Sequence, residues 1–219
     1  MVEIAPDTDA AVRGIADGST VLIGGFGAAG QPYALIDALR RGGAGDLTVV
    51  NNNAGNGTTG LAALLATGRV RRIICSFPRQ VDSFVFEELY RAGRIELEVA
   101  PQGNLAERIR AAGAGIGAFY TPTGAGTMLA EGKETRVIGG REHVLEYPIH
   151  ADVALIRAHT ADHAGNLVYR KTGRNFGPIM ATAARLTVAE VTRVVPVGGI
   201  DPEAVVTPGI FVDRVVVTP

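Results

Sequence analysis

Short apolar runs alternate along this chain with segments whose apolar positions recur at helical spacing. Thr20–Ile23, Leu47–Val50, Val70–Cys75, Ile95–Val99 and Asp152–Arg157 read as buried strands. Pro32–Arg41 places Leu35, Ile36 and Leu39 on one face and stops at Gly42-Gly43, an amphipathic helix with its terminator. Leu61–Ala66 predicts a short helix. Gln80–Arg91 predicts another, with Val81, Phe84, Val85 and Leu89 apolar, and Leu105–Ala112 a further one. Alanine-rich Thr8–Ala16 predicts a first helix running into the turn Asp17-Gly18.

The second half has a different rhythm. Ala114–Gly126 is too glycine-rich to be regular throughout. Residues Glu131 to Tyr147 alternate about Gly139-Gly140, the pattern of a β-hairpin. A short strand at Leu167–Tyr169, a polar run Arg170–Asn175, a helix from Pro178 to Arg185 and strands at Leu186–Glu190 and Phe211–Val217 complete the chain. Strands alternating with helices predict an α/β fold: an open, mostly parallel sheet flanked by helices, with a small β-hairpin elaboration. Neither an internal repeat nor a linker rich in proline or serine divides it, so residues 1–219 are expected to form one domain.

Composition narrows the function classes. The 219 residues are 47% hydrophobic and 20% charged, with a formal net charge of −1, so no basic surface argues for nucleic acid or an anionic membrane. No apolar run reaches the ~20 residues that cross a bilayer, and Met1–Asp7 lacks the regions of a signal peptide. A cytoplasmic location is expected. Cys75 is the single cysteine, which excludes an intrachain disulfide and a cysteine metal cluster.

The polar, glycine-rich segments all follow predicted strands, where open parallel sheets gather ligands. They are Gly24–Gly30, Asn51–Gly57, Ser76–Gln80 and Pro101–Asn104. In the first, Gly25, Gly27 and Gly30 satisfy G-x-G-x-x-G, and backbone amides beside a helix start suggest an anion site. A dinucleotide site also needs an acidic residue, or for a phosphorylated ribose an arginine, after the second strand. Asn51-Asn52-Asn53 stands there, and Asp46 lies at that strand's other end. The dinucleotide reading therefore fails. His143, His150, His159 and His163 are not spaced on a helix as metal ligands, no metal site is expected, and no G-x-S-x-G elbow is present. What remains is a set of amide groups suited to a thioester carbonyl, without a convincing nucleophile.

Asp17-Gly18, Val21–Phe26, Gly30 and Pro32 form one motif, and others follow at Asn52–Gly55, Pro101–Arg110, Phe119–Gly124, His150–Asp152, Gly165–Leu167 and Arg174–Met180, nearly the whole chain. Together they resemble the motifs of family I CoA-transferases, the first of them matching that family's first signature. The length is similar to that of the separate A subunit of bacterial members. The resemblance implies a sheet related to the sugar-phosphate isomerases and transfer of CoA from succinyl-CoA to a 3-oxo acid. It also implies a nucleophilic glutamate, in a Ser-Glu-Asn-Gly motif, on a partner B subunit in an A2B2 or similar heteromer. This chain contains no such motif. CoA would enter as part of the substrate, with no permanently bound cofactor.

By the same resemblance, Gly24, Gly25, Phe26, Gly27, Ala28, Ala29 and Gly30 match the CoA-binding segment. Asn52 and Gln102 match residues near the reacting thioester, although each also suits a plain turn or cap. Cys75–Gln80 and Phe176–Met180 resemble the branch acting on 3-oxoadipate rather than on acetoacetate. Burying the distal carboxylate of that acid calls for a cation, and Arg79 is the candidate. Its alternatives are local capping and contact with the partner. A ligand-sensing domain of the same fold would need a helix-turn-helix, for which no spare segment or basic face exists.

Overall fold

Residue alternation in the strands decides the layering of this protein, described by a computed structural model for residues 1–218. In β2 (Thr20–Ile23), Val21 and Ile23 face one core and Leu22 the other; β3 (Leu47–Val50) divides Val49 and Val50 in the same way. Both faces are therefore apolar, and a sheet of this kind needs cover on both. On the first face lie α1 (Thr8–Ala11), α2 (Tyr33–Gly42), α3 (Leu61–Ala66) and α4 (Phe84–Arg91), which contribute Leu35, Leu39, Leu64, Phe86 and Leu89. On the second lie α5 (Gln102–Gly113) and α6 (Gly177–Ala183), with Leu105, Ile109 and Met180.

The remaining strands of the main sheet are β1 (Glu3–Ile4), β4 (Val70–Cys75), β5 (Glu96–Val99), β9 (Ala151–Arg157), β12 (Ala184–Val191) and β14 (Arg214–Val217). Their order is β1-β14-β12-β9-β2-β3-β4-β5, and every neighbouring pair runs parallel. The chain winds outward from β2 to β5 and then returns to place β9 on the other side of β2. The strand order thus reverses between β2 and β9, the switch point at which such sheets open a crevice for ligands. The predicted fold class is observed.

Two small sheets are added. The predicted hairpin pairs β7 (Thr135–Ile138) with β8 (Arg141–Glu146), and β6 (Phe119–Thr121), from the glycine-rich stretch, joins as a third antiparallel strand. The other sheet combines β10 (Thr160–Asp162) with β11 (Leu167–Val168) and β13 (Arg193–Val195).

Several boundaries differ from the periodic reading. The first helix ends at Ala11: past it Arg13 and Ile15 donate to Ala10 and Val12, the bonds of tight turns, and Gly14 at φ +88° carries the chain away from the helix. The fourth begins at Phe84, not Gln80: the Ser83 hydroxyl accepts from the Gln80 N–H at 2.9 Å and donates to the Gly55 carbonyl at 3.1 Å, holding the preceding turn. Val81 projects fully into solvent instead of onto the core. The fifth helix starts earlier, at Gln102, since Pro101 suits a helix start. The sixth passes into β12 at Ala184 without a loop, and the last strand begins at Arg214 after a turn at Gly209–Phe211.

The hairpin sheet is fastened to α5 and β5 by charges. Glu146, almost fully buried, accepts from Asn104 Nδ2 at 3.2 Å and from Lys133 Nζ at 2.8 Å, while Arg108 reaches Glu98 at 2.5 Å. Burial pushes the Glu98 carboxyl up, but Arg108 and then Arg72 outweigh it and hold it below its ordinary value of 4.5. A lowered carboxyl contributes stability that is present above the ordinary value and lost as pH falls through the folded one. From about pH 6 to about pH 3, the wild-type chain should lose on the order of 1 kcal/mol more stability than Glu98→Gln in urea unfolding. Equal losses would show that the Arg108–Glu98–Arg72 group does not couple folding to pH.

Candidate functional site

The loops at the carboxyl ends of β2, β3, β4 and β5 share one rim, and three consecutive asparagines organise its centre by doing different work. Asn51, fully buried, donates from Nδ2 to the Ile23 carbonyl at 2.6 Å and accepts from the Asn53 N–H at 2.9 Å, tying the end of β3 to the end of β2. Asn52 accepts at Oδ1 from Ser76 Oγ at 2.7 Å and from Gln102 Nε2 at 2.8 Å. Its carbonyl also accepts from the N–H groups of Ser76 and Phe77, at 3.2 and 3.0 Å. Asn53 accepts at Oδ1 from the Gly55 N–H at 2.8 Å.

Asn52 and Gln102, fifty residues apart in sequence, are therefore directly bonded. Two donors on one oxygen fix the plane of the Asn52 carboxamide and turn its NH2 the other way, where it takes no hydrogen bond among the described residues. Gln102 reaches Asn52 because α5 starts at Gln102, so its side chain leaves the first turn of a helix held by the Asn104–Glu146 bond. Ser76, which the sequence placed only in a loop, is the third member. The fixed carboxamide presents a donor whose direction is set before any ligand arrives.

The glycine loop is built differently from the expected fan of amides. The Gly24 N–H donates to Leu155 at 2.9 Å and the Gly25 N–H to Asn175 Oδ1 at 3.1 Å, while Phe26 and Ala29 exchange N–H bonds at 3.0 and 3.2 Å. Four of the seven amides thus bond within the protein. The start of α2 is also occupied: Glu190 Oε2 accepts from the N–H groups of Ala34 and Leu35 at 2.9 and 3.2 Å. Glu190 is 3% exposed, and burial foremost raises its carboxyl above the ordinary range. A pyrophosphate cannot take this helix start as it does in dinucleotide folds. Gly27 and Ala28 line a small cavity of about 40 Å³ together with Gln31, Tyr33 and Asn53. Asn53 Nδ2 is the buried side-chain polar atom without a partner among the described residues. The loop therefore offers donors on its Gly27-Ala28 side.

Asn175 keeps the loop in place, donating from Nδ2 to the carbonyls of Ala29 and Thr172, both at 2.9 Å. Neither it nor Glu190 stood out as a working residue in the sequence, although a glutamate inside an apolar strand is a signal in itself. Arg79 lies beyond β4 with its side chain 70% exposed, its Nε on Glu87 Oε1 at 2.7 Å. Glu87 also accepts from Arg91 at 3.0 Å, so the pair of arginines keeps one net positive charge. Phe26 and Phe77 are both more than half exposed on the same rim. Cys75 lies beneath it, and burial pushes its thiol up to about 12, too high for a thiolate nucleophile. No group of three or more histidine, cysteine or carboxylate side chains among the described residues is arranged to hold a metal. No helix is long and apolar enough to cross a membrane.

Comparison with known proteins identifies the family. The family model described as coenzyme A transferase matches residues 6–218. The chain belongs to the coenzyme A transferase family. It is 68% identical to the A subunit of the 3-oxoadipate CoA-transferase of Pseudomonas putida, over 94% of this chain and 89% of that one. It is 54% identical to the A subunit of the succinyl-CoA:3-ketoacid coenzyme A transferase of Xanthomonas campestris pv. campestris, over 96% and 86%. Among solved structures, an Escherichia coli O157:H7 acyl-CoA transferase, in a thioester complex with CoA, superposes with a TM-score of 0.89 at 23% identity. This chain is wholly matched but spans 47% of that one, about half its length. Glutaconate coenzyme A-transferase from Acidaminococcus fermentans superposes with a TM-score of 0.85 at 22% identity, over 99% and 76%. These structures share the fold.

In this coenzyme A transferase chain the glycine loop is held by the closeness of its neighbour. Gly30 has φ +71°, and a Cβ there would overlap the Gly173 carbonyl and stand 2.7 Å from Asn175 Nδ2; Gly27 has φ +59° but open space around it. Gly27→Ala should cost about 1 kcal/mol, the left-handed backbone alone, and Gly30→Ala at least ~2 kcal/mol more. Chemical unfolding of both variants measures the difference. Equal costs would show that the two loops do not meet.

Proposed function

We propose that this chain, residues 1–219 acting as one domain, is the A subunit of a CoA-transferase built from two kinds of chain. The enzyme moves CoA from succinyl-CoA to a 3-oxo acid, with 3-oxoadipate as the acceptor. The observation that carries the reading is the Ser76–Asn52–Gln102 arrangement, which fixes a carboxamide donor on a rim otherwise lacking a nucleophile in position. A carboxylate from the B subunit supplies the nucleophile. The relatives at 68% and 54% identity, both A subunits by name, support that division of labour.

In this mechanism the partner's carboxylate attacks the thioester carbonyl, and negative charge develops on the carbonyl oxygen. Asn52 and Gln102 stabilise that charge with N–H donors, and CoA leaves as its thiolate; the thiolate then attacks the carbonyl derived from the partner's carboxylate in the resulting anhydride, expelling succinate and leaving an enzyme-bound thioester. The carboxylate of the 3-oxo acid attacks that thioester in turn, and the same steps in reverse release its CoA ester and restore the partner's carboxylate. Gly24, Gly25, Phe26, Gly27, Ala28, Ala29 and Gly30 form the wall along which CoA lies. Hydrogen bonds come from the Gly27-Ala28 side, and Phe26 offers apolar contact.

Arg79 receives the distal carboxylate of 3-oxoadipate. Its Nε is engaged by Glu87, and its terminal nitrogens donate to no other group among the described residues, which leaves them for a second carboxylate. The 68% identity to a chain of a 3-oxoadipate CoA-transferase supports the choice of acid.

Co-expression with the B subunit and assay of succinyl-CoA:3-oxoadipate transfer tests the function; activity from this chain alone would overturn it. In the assembled enzyme Asn52→Ala should lower kcat about 100-fold with KM for both substrates little changed, since the lost interaction forms in the transition state. Arg79→Ala should raise KM for 3-oxoadipate more than about tenfold and spare acetoacetate. An equal effect on the two acids would remove Arg79 from the specificity site.

A further inference from the structure

A second recess opens at the switch point, on the other side of the glycine loop from Asn52. It is a cavity of about 410 Å³ at the carboxyl ends of β9 and β12, walled by Ala29 and Gly30 on one side and by the loop after β11 on the other. Its charged lining is one-signed. Arg157, Arg170 and Lys171 are cationic, His159 stands beside them, and no carboxylate lines it. Glu190 approaches one of them from beneath, 3.7 Å from Arg157 Nε. Arg170 and Lys171 form no ion pair among the described residues. Three cations gathered around one recess repel one another, an arrangement that a bound polyanion relieves.

The wall is also held under strain. Lys171 adopts φ +51°, one of two non-glycine residues in the left-handed region among the described residues. The surrounding segment is clamped against the glycine loop by Asn175 and by the close approach of Gly30 to Gly173. Backbone kept in a sparsely populated region by its neighbours is common where a ligand is gripped. Thr172 and Thr192 add hydroxyls to the lining.

From these observations, and resting on the CoA reading above, we infer that this cavity binds the phosphates at the nucleotide end of CoA. Arg170 and Lys171 are the principal contacts, and Arg157 and His159 support them. Phosphate suits the site better than a carboxylate because several cations converge where a single carboxylate would need one bidentate partner. The placement suits the length of the cofactor. Neighbouring strands lie roughly 4.8 Å apart, so the ends of β9 and β12 stand roughly 10–15 Å along the rim from Asn52 at the end of β3. The extended pantetheine arm can bridge that interval past the glycine loop, with the thioester at Asn52 and Gln102. The start of α2, the obvious phosphate site in the sequence, is filled by Glu190, and the cations stand beside it, Arg157 at the end of the neighbouring strand β9 and Arg170 and Lys171 in the loop after β11.

The test uses the assembled enzyme with two donors, succinyl-CoA and succinyl-pantetheine, which carries the same thioester without the nucleotide. Arg170→Gln with Lys171→Gln should raise KM for succinyl-CoA about tenfold or more, leave KM for succinyl-pantetheine unchanged, and weaken inhibition by adenosine 3′,5′-bisphosphate by a similar factor. Lys171→Gln alone should show the same pattern at smaller size. An unchanged KM for succinyl-CoA, or an equal rise for both donors, would overturn the assignment. A rise confined to 3-oxoadipate would give the cavity to the acceptor acid, and loss of assembly with the partner in both variants would give it to the interface between the two chains. Either outcome overturns the phosphate site. Should the wild-type enzyme fail to use succinyl-CoA, the proposed function falls by itself; binding of adenosine 3′,5′-bisphosphate to the same assembly, measured by calorimetry, still reads the cavity.

Discussion

The contact between Glu190 and the first turn of α2 is the constraint around which this rim is arranged. A buried carboxyl is costly unless its oxygens are satisfied, and Glu190 meets that condition with two backbone N–H groups on one oxygen and Arg157 near the other. In doing so it joins β12, β9 and α2 across the place where the strand order reverses. It also takes the helix start, the most favourable anion site that a strand-loop-helix unit offers. An anionic ligand must then find its charge partners elsewhere on the rim. In the one-signed cavity beside the glycine loop, Arg170 and Lys171 stand without an ion-pair partner among the described residues.

The glycine loop is shaped by the same circumstance. In dinucleotide sites its amides and the helix start act together on a pyrophosphate. Here the helix start serves Glu190 and most of the loop's amides bond inward, so the loop works chiefly as a close-fitting wall between two recesses. Gly30 is small because Gly173 lies against it, not because a phosphate does. The same G-x-G-x-x-G spacing arises from a different close approach.

Much of this architecture is legible in the sequence, and the parts that are not share a physical cause. Buried strands such as Thr20–Ile23 and Leu47–Val50 announce themselves because both faces are apolar, and the hairpin about Gly139-Gly140 because alternation and turn chemistry agree. Family resemblance and strand-end loops point to Asn52 and Gln102 separately, and the structure brings them into contact. Long-range polar bonding is what the sequence conceals. Ser76, Asn175 and Glu190 act through partners up to 156 residues away, and no periodic pattern records such partnerships. Helix starts depart from the periodic reading for a related reason. Apolar spacing alone extends a helix back to Gln80, whereas the Ser83 hydroxyl bonds to the chain around it and holds a turn there.

These polar contacts also explain why the rim presents so little chemistry of its own. Asn51 stitches strand ends, Asn53 stabilises its own loop, and Asn52 alone is oriented by two donors. A carboxamide held in this way does not attack a thioester. It lowers the energy of charge that another group creates, and it does so most effectively when it need not reorganise and water is excluded. Gln102 stands exposed at the helix start and Phe26 and Phe77 are more than half exposed around it, so this chain by itself leaves the rim wet. A second protein surface laid over that rim would supply both the missing nucleophile and the dry surroundings in which fixed amides act strongly. On the proposed reading, this chain carries the orienting half of the chemistry and the B subunit brings the reactive half.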